Sequence, residues 1–213
     1  MRLLLLVFLL GSATICFGQS KTYSFVFLHK KSPAEQLAKE QLDKIMEGHM
    51  TNIQRLAKEG KLLAAGPFDG GGGIFILNTT SSDEARLWLS TDPGIQANRW
   101  DIEILPYTPR IGAVCIAKEP YEMVSYNFIR FVEKSGSTEN AEGILKQHHE
   151  FVLALKNSGN IITEGIFESG GSILIMKGEM NDNLFESDPA VQHGIISIER
   201  KKLWIAKGSF CEQ

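Results

Sequence analysis

Met46-Glu47-Gly48-His49-Met50-Thr51-Asn52-Ile53-Gln54-Arg55-Leu56 and Leu145-Lys146-Gln147-His148-His149-Glu150-Phe151-Val152-Leu153-Ala154-Leu155 are the stretches that decide the fold. Met46, His49, Ile53 and Leu56 recur ninety-nine positions later as Leu145, His148, Val152 and Leu155. Spacings of three, four and three residues put four side chains on one face of a helix. Each helix thus carries one histidine within an apolar stripe and aims it inward, and the chain reads as one unit written twice.

Working outward, residues 23–29 alternate as a strand does. Ser32-Pro33-Ala34-Glu35 supplies a capping box with proline at the first helical position. The helix runs to about Lys58, and Gly60 stops it in a left-handed conformation. Residues 61–66 and 74–78 form two strands joined by a glycine-rich hairpin loop, Pro67 to Gly73. Ser82-Asp83-Glu84-Ala85 opens a shorter helix that yields at Asp92-Pro93, and 100–105 is the last strand. The second unit repeats this with a strand over 126–132, a helix from about Thr138 to Lys156, Gly159 as its stop, and strands over 160–165 and 172–177. Gly165 answers Gly66, and Phe167 answers Phe68. The offset falls to ninety-six at Asp188-Pro189, so the second unit has lost three residues from its short helix around 181–186.

Strand, helix, two strands, helix, strand is the ferredoxin-like order, with helices on one face of an antiparallel sheet. The expected fold class is α+β. Two βαββαβ repeats pack sheet-to-sheet as an intramolecular α+β barrel, each sending an imidazole into the shared interior. The boundaries are 19–110 for the first repeat, 111–124 for a connector with an extra strand, and 125–213 for the second.

Residues 1–18 read as a signal peptide: Met1-Arg2, an apolar run from Leu3 to Leu10, and a small-residue exit at Gly18. The run is too short to span a bilayer. A lipid anchor on Cys16 is disfavoured by the bulky Ile15 before it. The expected product is periplasmic or secreted, with no membrane partner after cleavage. Across 213 residues, 22 basic and 25 acidic side chains give a net charge of −3 without a basic patch, which excludes a nucleic-acid partner. Cys115 and Cys211 remain in the processed chain, either bridged or as two separate thiols. They form no zinc signature, and the sequence requires no metal and no cofactor.

A helical His, a Gly-Pro-Phe segment after the next strand, a glycine hairpin and Asp-Pro before the last strand together resemble the YciI-like (YCII-related) family across both halves. The first half carries His49, Gly66-Pro67-Phe68 and Asp92-Pro93. The second keeps His148, Gly165 and Asp188-Pro189 but has Ile166 in place of proline. The resemblance implies a dimeric α+β barrel group that includes isomerases, small monooxygenases, a dehydrochlorinase acting on chlorinated hydroxyhydroquinones, and members without known activity. It also implies catalytic pairs, His49 with Asp92 and His148 with Asp188. Gly66, Pro67, Phe68, Asp69 and Gly165 would line a ligand site, with Glu168 matching Asp69.

Such a pair transfers protons, because histidine titrates near neutrality and a carboxylate accepting one ring N–H orients the ring. The matching substrate is a small aromatic or enolisable molecule, handled in an isomerase- or lyase-like step. A second reading is a non-catalytic module that binds a small molecule or partner in the same clefts. Haem binding, a third, rests on fold analogy alone. Asp before Pro is also an ordinary helix N-cap, and an inward histidine often satisfies a backbone carbonyl. The remaining candidates read as structural: His149 exposed on its helix, His193 near the second pair, His29 at a rim, and Trp88, Trp100 and Trp204 in the core. The run Gly70 to Gly73 lacks the Lys and Ser/Thr of a phosphate loop. Asn78-Thr79-Thr80 is a glycosylation sequon.

Overall fold

The computed structural model describes residues 21–32, 36–134, 140–181 and 183–211. The expected leader, with Cys16, lies outside the described residues, as do Pro33, Ala34 and Glu35 of the capping box and Thr138 at the expected second helix start. In chain order the elements are β1 (Tyr23–Lys30), α1 (Lys39–Lys58), β2 (Leu62–Pro67), β3 (Gly73–Leu77), α2 (Ser82–Leu89), α3 (Pro93–Gln96) and β4 (Trp100–Ile111). Then follow β5 (Ala113–Val114), β6 (Met123–Glu133), α4 (Ala141–Leu155), β7 (Ile161–Phe167), β8 (Ser172–Met176), α5 (Pro189–Gln192), β9 (Ile196–Ala206) and β10 (Phe210–Cys211).

Helix α1 starts later than the capping box predicts, at Lys39 after Ala38, which makes no side-chain cap. Ser81 caps α2 by accepting from the Glu84 N–H at 3.2 Å. Gly60 and Gly159 adopt the expected left-handed conformation after α1 and α4, with φ of 69° and 72°. In the second half, residues 183–187 form turns, so nothing described there matches α2.

The protein is a mixed α+β fold built on one large antiparallel sheet in the order β2-β3-β1-β4-β7-β8-β6-β9. Pairing of β4 with β7 joins the halves. The sheet curls until its ends meet, where Phe68 bridges Leu203 and the Asp69 N–H donates to Lys202 O at 3.0 Å. The matching bond at the β4–β7 junction runs from Glu168 N–H to Pro106 O at 3.1 Å.

Strand alternation sorts the side chains onto two faces. Ile74 and Ile76 turn inward to a cluster shared by both halves, while Phe75 and Leu77 turn outward beneath α1 and α2. Aromatic rings fill the interior, with Phe25 5.6 Å from Phe167 and Phe68 4.9 Å from Phe128. Each half has its own outer cluster under its helices.

Gly66 and Gly165 are placed by this closure. A Cβ on Gly165 would lie 2.5 Å from Tyr107 Cε2 and 2.7 Å from Thr108 O; one on Gly66 would lie 2.6 Å from Trp204 O and 3.0 Å from Leu203 Cδ1. Both junctions thus bring a neighbouring strand, and the interior side chain it carries, against a glycine. The connector contributes the expected extra strand, β5, which pairs with β10. Cys115 and Cys211 are disulfide-bonded with Cα atoms 5.7 Å apart. Val114 and Phe210 beside them join the interior cluster.

Candidate functional site

Helix α1 places His49 over Phe75 and against Trp100, with ring centroids 5.8 and 4.9 Å apart. His49 is 6% exposed. It occupies the layer between helix and sheet, not the closed interior, which corrects the expectation drawn from the inward stripe. The stripe faces the outer surface of the sheet, because Phe75 belongs to the outward set of β3. His148 sits likewise, 4.8 Å from Phe131, which also packs in an outer cluster.

Asp92 is fully buried at the start of α3. Its Oδ1 accepts the N–H groups of Gly94 at 2.8 Å and Ile95 at 3.2 Å, the N-cap role. The carboxylate also holds His49: Nδ1 lies 2.9 Å from both oxygens, and Asn52 Nδ2 donates to Oδ2 at 3.1 Å. Capping and ring-holding are compatible because an ionised carboxylate offers about four acceptor positions. Burial pushes the Asp92 carboxyl upward, but the bonds and charge from His49, the Asn52 amide and the Ile95 N–H outweigh it and hold it below its ordinary value. His148 Nδ1 lies 2.6 Å from Asp188 Oδ2, while Ala190 N–H caps Oδ1 at 2.9 Å.

The two pairs differ in their surroundings. Asn52, one turn past His49, accepts from Arg55 at 2.8 Å and from Thr91 at 3.1 Å, so Asp92 heads a polar network. Phe151 stands in its place in α4 and packs 6.4 Å from Phe185. An open depression beside the first pair is lined by Asn52, Arg55, Thr91 and Pro93 together with Lys44 and Glu47. His49 Nε2 makes no hydrogen bond among the described residues, whereas Nδ1 is held by Asp92.

None of Gly66, Pro67, Phe68, Asp69 and Gly165 borders that depression. Gly66 and Gly165 lie in the strand junctions, Phe68 faces the interior, and Pro67 and Asp69 are exposed on the hairpin. The structure gives this segment the task of closing the sheet. His149 is only partly exposed, contrary to expectation: its Nδ1 is buried without a partner, and burial with the Arg110 guanidinium lowers its pKa below 6.5. Arg110 forms a bidentate pair with the buried Glu164, with Nε donating at 3.0 Å to Oε2 and a second bond from Nη2 to Oε1. His29 lies at the rim, its Nε2 2.7 Å from Glu103, which also takes a bidentate Arg130 at 2.8 Å. His193 is exposed and bonds Pro189 O. None of the tryptophans is a fully buried core residue: Trp204 is 48% exposed, and Trp88 and Trp100 are partly buried. Trp100 and Asn52 are site residues that sequence reading missed; Asn52 was legible as the residue three beyond His49 on the same face. Among the described residues no group of three His, Cys, Asp or Glu is placed to hold a metal. No described helix is long and apolar enough to cross a membrane.

This architecture has solved counterparts. One, named "putative monooxygenase", comes from Fusobacterium nucleatum subsp. nucleatum ATCC 25586; it is 10% identical, with a TM-score of 0.51 over 92% of this chain and 99% of that one. A similarly named protein from Lactobacillus acidophilus NCFM is 13% identical, with a TM-score of 0.44 over 92% and 97%. The former likeness is one of fold. Residues 23–108 match the YCII-related domain. The matched span holds His49, Asn52, Asp92 and Trp100. No curated protein matches the chain.

Proposed function

We propose that this is an exported protein of two ferredoxin-like YCII-type repeats closed into one α+β barrel, and that His49 and Asp92 act as a general acid–base pair on a small aromatic or enolisable molecule. The observation that carries this reading is the division of labour on the imidazole. Asp92 engages Nδ1 alone. In the neutral ring facing an ionised carboxylate, Nδ1 carries the proton and Nε2 the lone pair, the arrangement a base needs. Asn52 keeps the carboxylate from rotating, and the depression beside it gives a small molecule somewhere to rest.

The His148–Asp188 pair has the same bond without the polar network, and we assign it to clamping α4 onto α5. Export is supported by the leader-like start and by the Cys115–Cys211 bridge, since disulfides persist in oxidising compartments. The non-catalytic binding module remains the second reading, favoured by one observation: His49 is 6% exposed, so a substrate needs local opening to reach it.

The test is solvent-deuterium incorporation into a panel of 2-oxo acids and hydroxylated aromatics, followed by proton NMR. Acid–base function requires at least one compound to exchange faster with the wild-type protein than in buffer. His49→Asn should abolish that gain and His148→Asn should retain it. No acceleration across the panel favours the binding module.

A further inference from the structure

The loss of α2 from the second half leaves a strand face uncovered, and its composition has changed. In the first half that face carries Ser24, Ile104 and Pro106, with Ile104 packed in the cluster under α2. The corresponding positions of the second half are Asn127, Arg200 and Lys202. An uncharged floor has become a cationic one. The result is a depression of about 460 Å³ lined by Asn127, Glu179, Met180, Arg200, Lys201 and Lys202, with two cations, Arg200 and Lys202, against one carboxylate, while the Lys201 ammonium turns to the Phe68 ring. Its size falls within the range of small-molecule sites.

We propose that this depression is a binding site for a small organic anion, whose carboxylate or phosphate group lies between Arg200 and Lys202. The two cations are two residues apart on β9 and so point to the same side. Asn127, 4% exposed, fixes both edges of the site: its Nδ2 donates to Gly178 O at 2.8 Å, holding the loop, and its Oδ1 accepts from Lys202 Nζ at 2.7 Å. A buried amide thus aims a surface ammonium that keeps two further N–H donors. The Arg200 guanidinium sits 5.6 Å from the Phe185 ring, which orients it while leaving its edge for a planar oxyanion. Met180 supplies an apolar wall for the remainder of the ligand. Phe185 and Phe131 stand between this site and His148, with ring centroids 5.4 Å apart and Phe131 4.8 Å from the imidazole. The site is therefore separate from either His–Asp pair and independent of their chemistry.

The probes are inorganic phosphate and benzoate, titrated separately into the isotopically labelled protein at constant ionic strength against chloride, with backbone amide shifts as the readout. Saturable shifts at Asn127, Met180, Arg200 and Lys202 with one of the two anions are expected, and the responding anion identifies the head group. Arg200→Gln and Lys202→Gln, both at exposed positions, should each weaken binding at least tenfold while the rest of the amide spectrum stays in place. Shifts no larger than those from chloride, shifts centred elsewhere, or affinity unchanged in both variants would overturn the proposal.

Discussion

Asp92 shows how one residue answers two expectations that the sequence set against each other. As a residue before proline it reads as a helix cap; by family resemblance it reads as the partner of a histidine. The carboxylate does both, receiving the backbone of Gly94 and Ile95 on one side and His49 with Asn52 on the other. Sequence could locate this residue but could not count its donors, because the fourth, Asn52, arrives through helix geometry.

The consequence appears in acid. His149 is held below its ordinary value of 6.5 by burial and Arg110, so its contribution to stability is fully present above that pH and is lost as pH falls through its lowered folded value. Asp92 is held below 3.8, its upward push from burial outweighed by His49, Asn52 and Ile95, so its contribution is present above 3.8 and lost as pH falls further. Urea midpoints against pH should therefore decline in two stages. His149→Gln removes the first, and Asp92→Asn makes the second shallower, the remainder coming from Glu103, whose burial is outweighed by Arg130 and His29; it also lowers stability at pH 7 by about 1–3 kcal/mol through orphaned donors. A curve in Asp92→Asn that still falls below pH 3.8 as steeply as wild type would contradict the assignment.

At the scale of elements, the matching glycines were legible in the sequence, and their place at strand junctions was not. Their purpose depends on strands far apart in sequence: β7 against β4, and β2 against β9. Gly165→Ala drives a Cβ into Tyr107 and the Thr108 carbonyl, and Gly66→Ala drives one into the Trp204 carbonyl. Each should cost about 1–3 kcal/mol in urea unfolding, as overpacking does. Gly60→Ala, with φ of 69° and nothing within 4 Å, isolates backbone strain and should cost roughly 1–2 kcal/mol. Equal, negligible losses at Gly66 and Gly165 would mean that the junctions relax freely. The helix starts teach a similar lesson: α1 begins at Lys39 without a side-chain cap, and most of a helix's stability comes from packing its apolar face rather than from local signals.

At the scale of the whole molecule, the halves are held by a shared interior and by the β4–β7 and β2–β9 junctions, and one covalent bond ties the connector to β10. Cys115–Cys211 closes a chain separation of 96 residues and pins Val114 and Phe210 against the interior. Replacing both cysteines with alanine should lower stability by roughly 2–4 kcal/mol, with the loss reproduced by reductant in the wild-type protein and absent on adding reductant to the double variant. Thermal unfolding read by near-ultraviolet circular dichroism measures it.

The amino-acid sequence by itself determined the main strands and the two long helices, the two histidine stripes and the left-handed stops at Gly60 and Gly159, because these rest on periodicity and local backbone preference. Tertiary structure alone decided which side of the sheet the imidazoles face, that the paired glycines serve strand junctions, and that a lost helix uncovers Arg200 and Lys202. Those outcomes turn on contacts between residues tens of positions or more apart, and local periodicity carries no information about which surface a stripe meets.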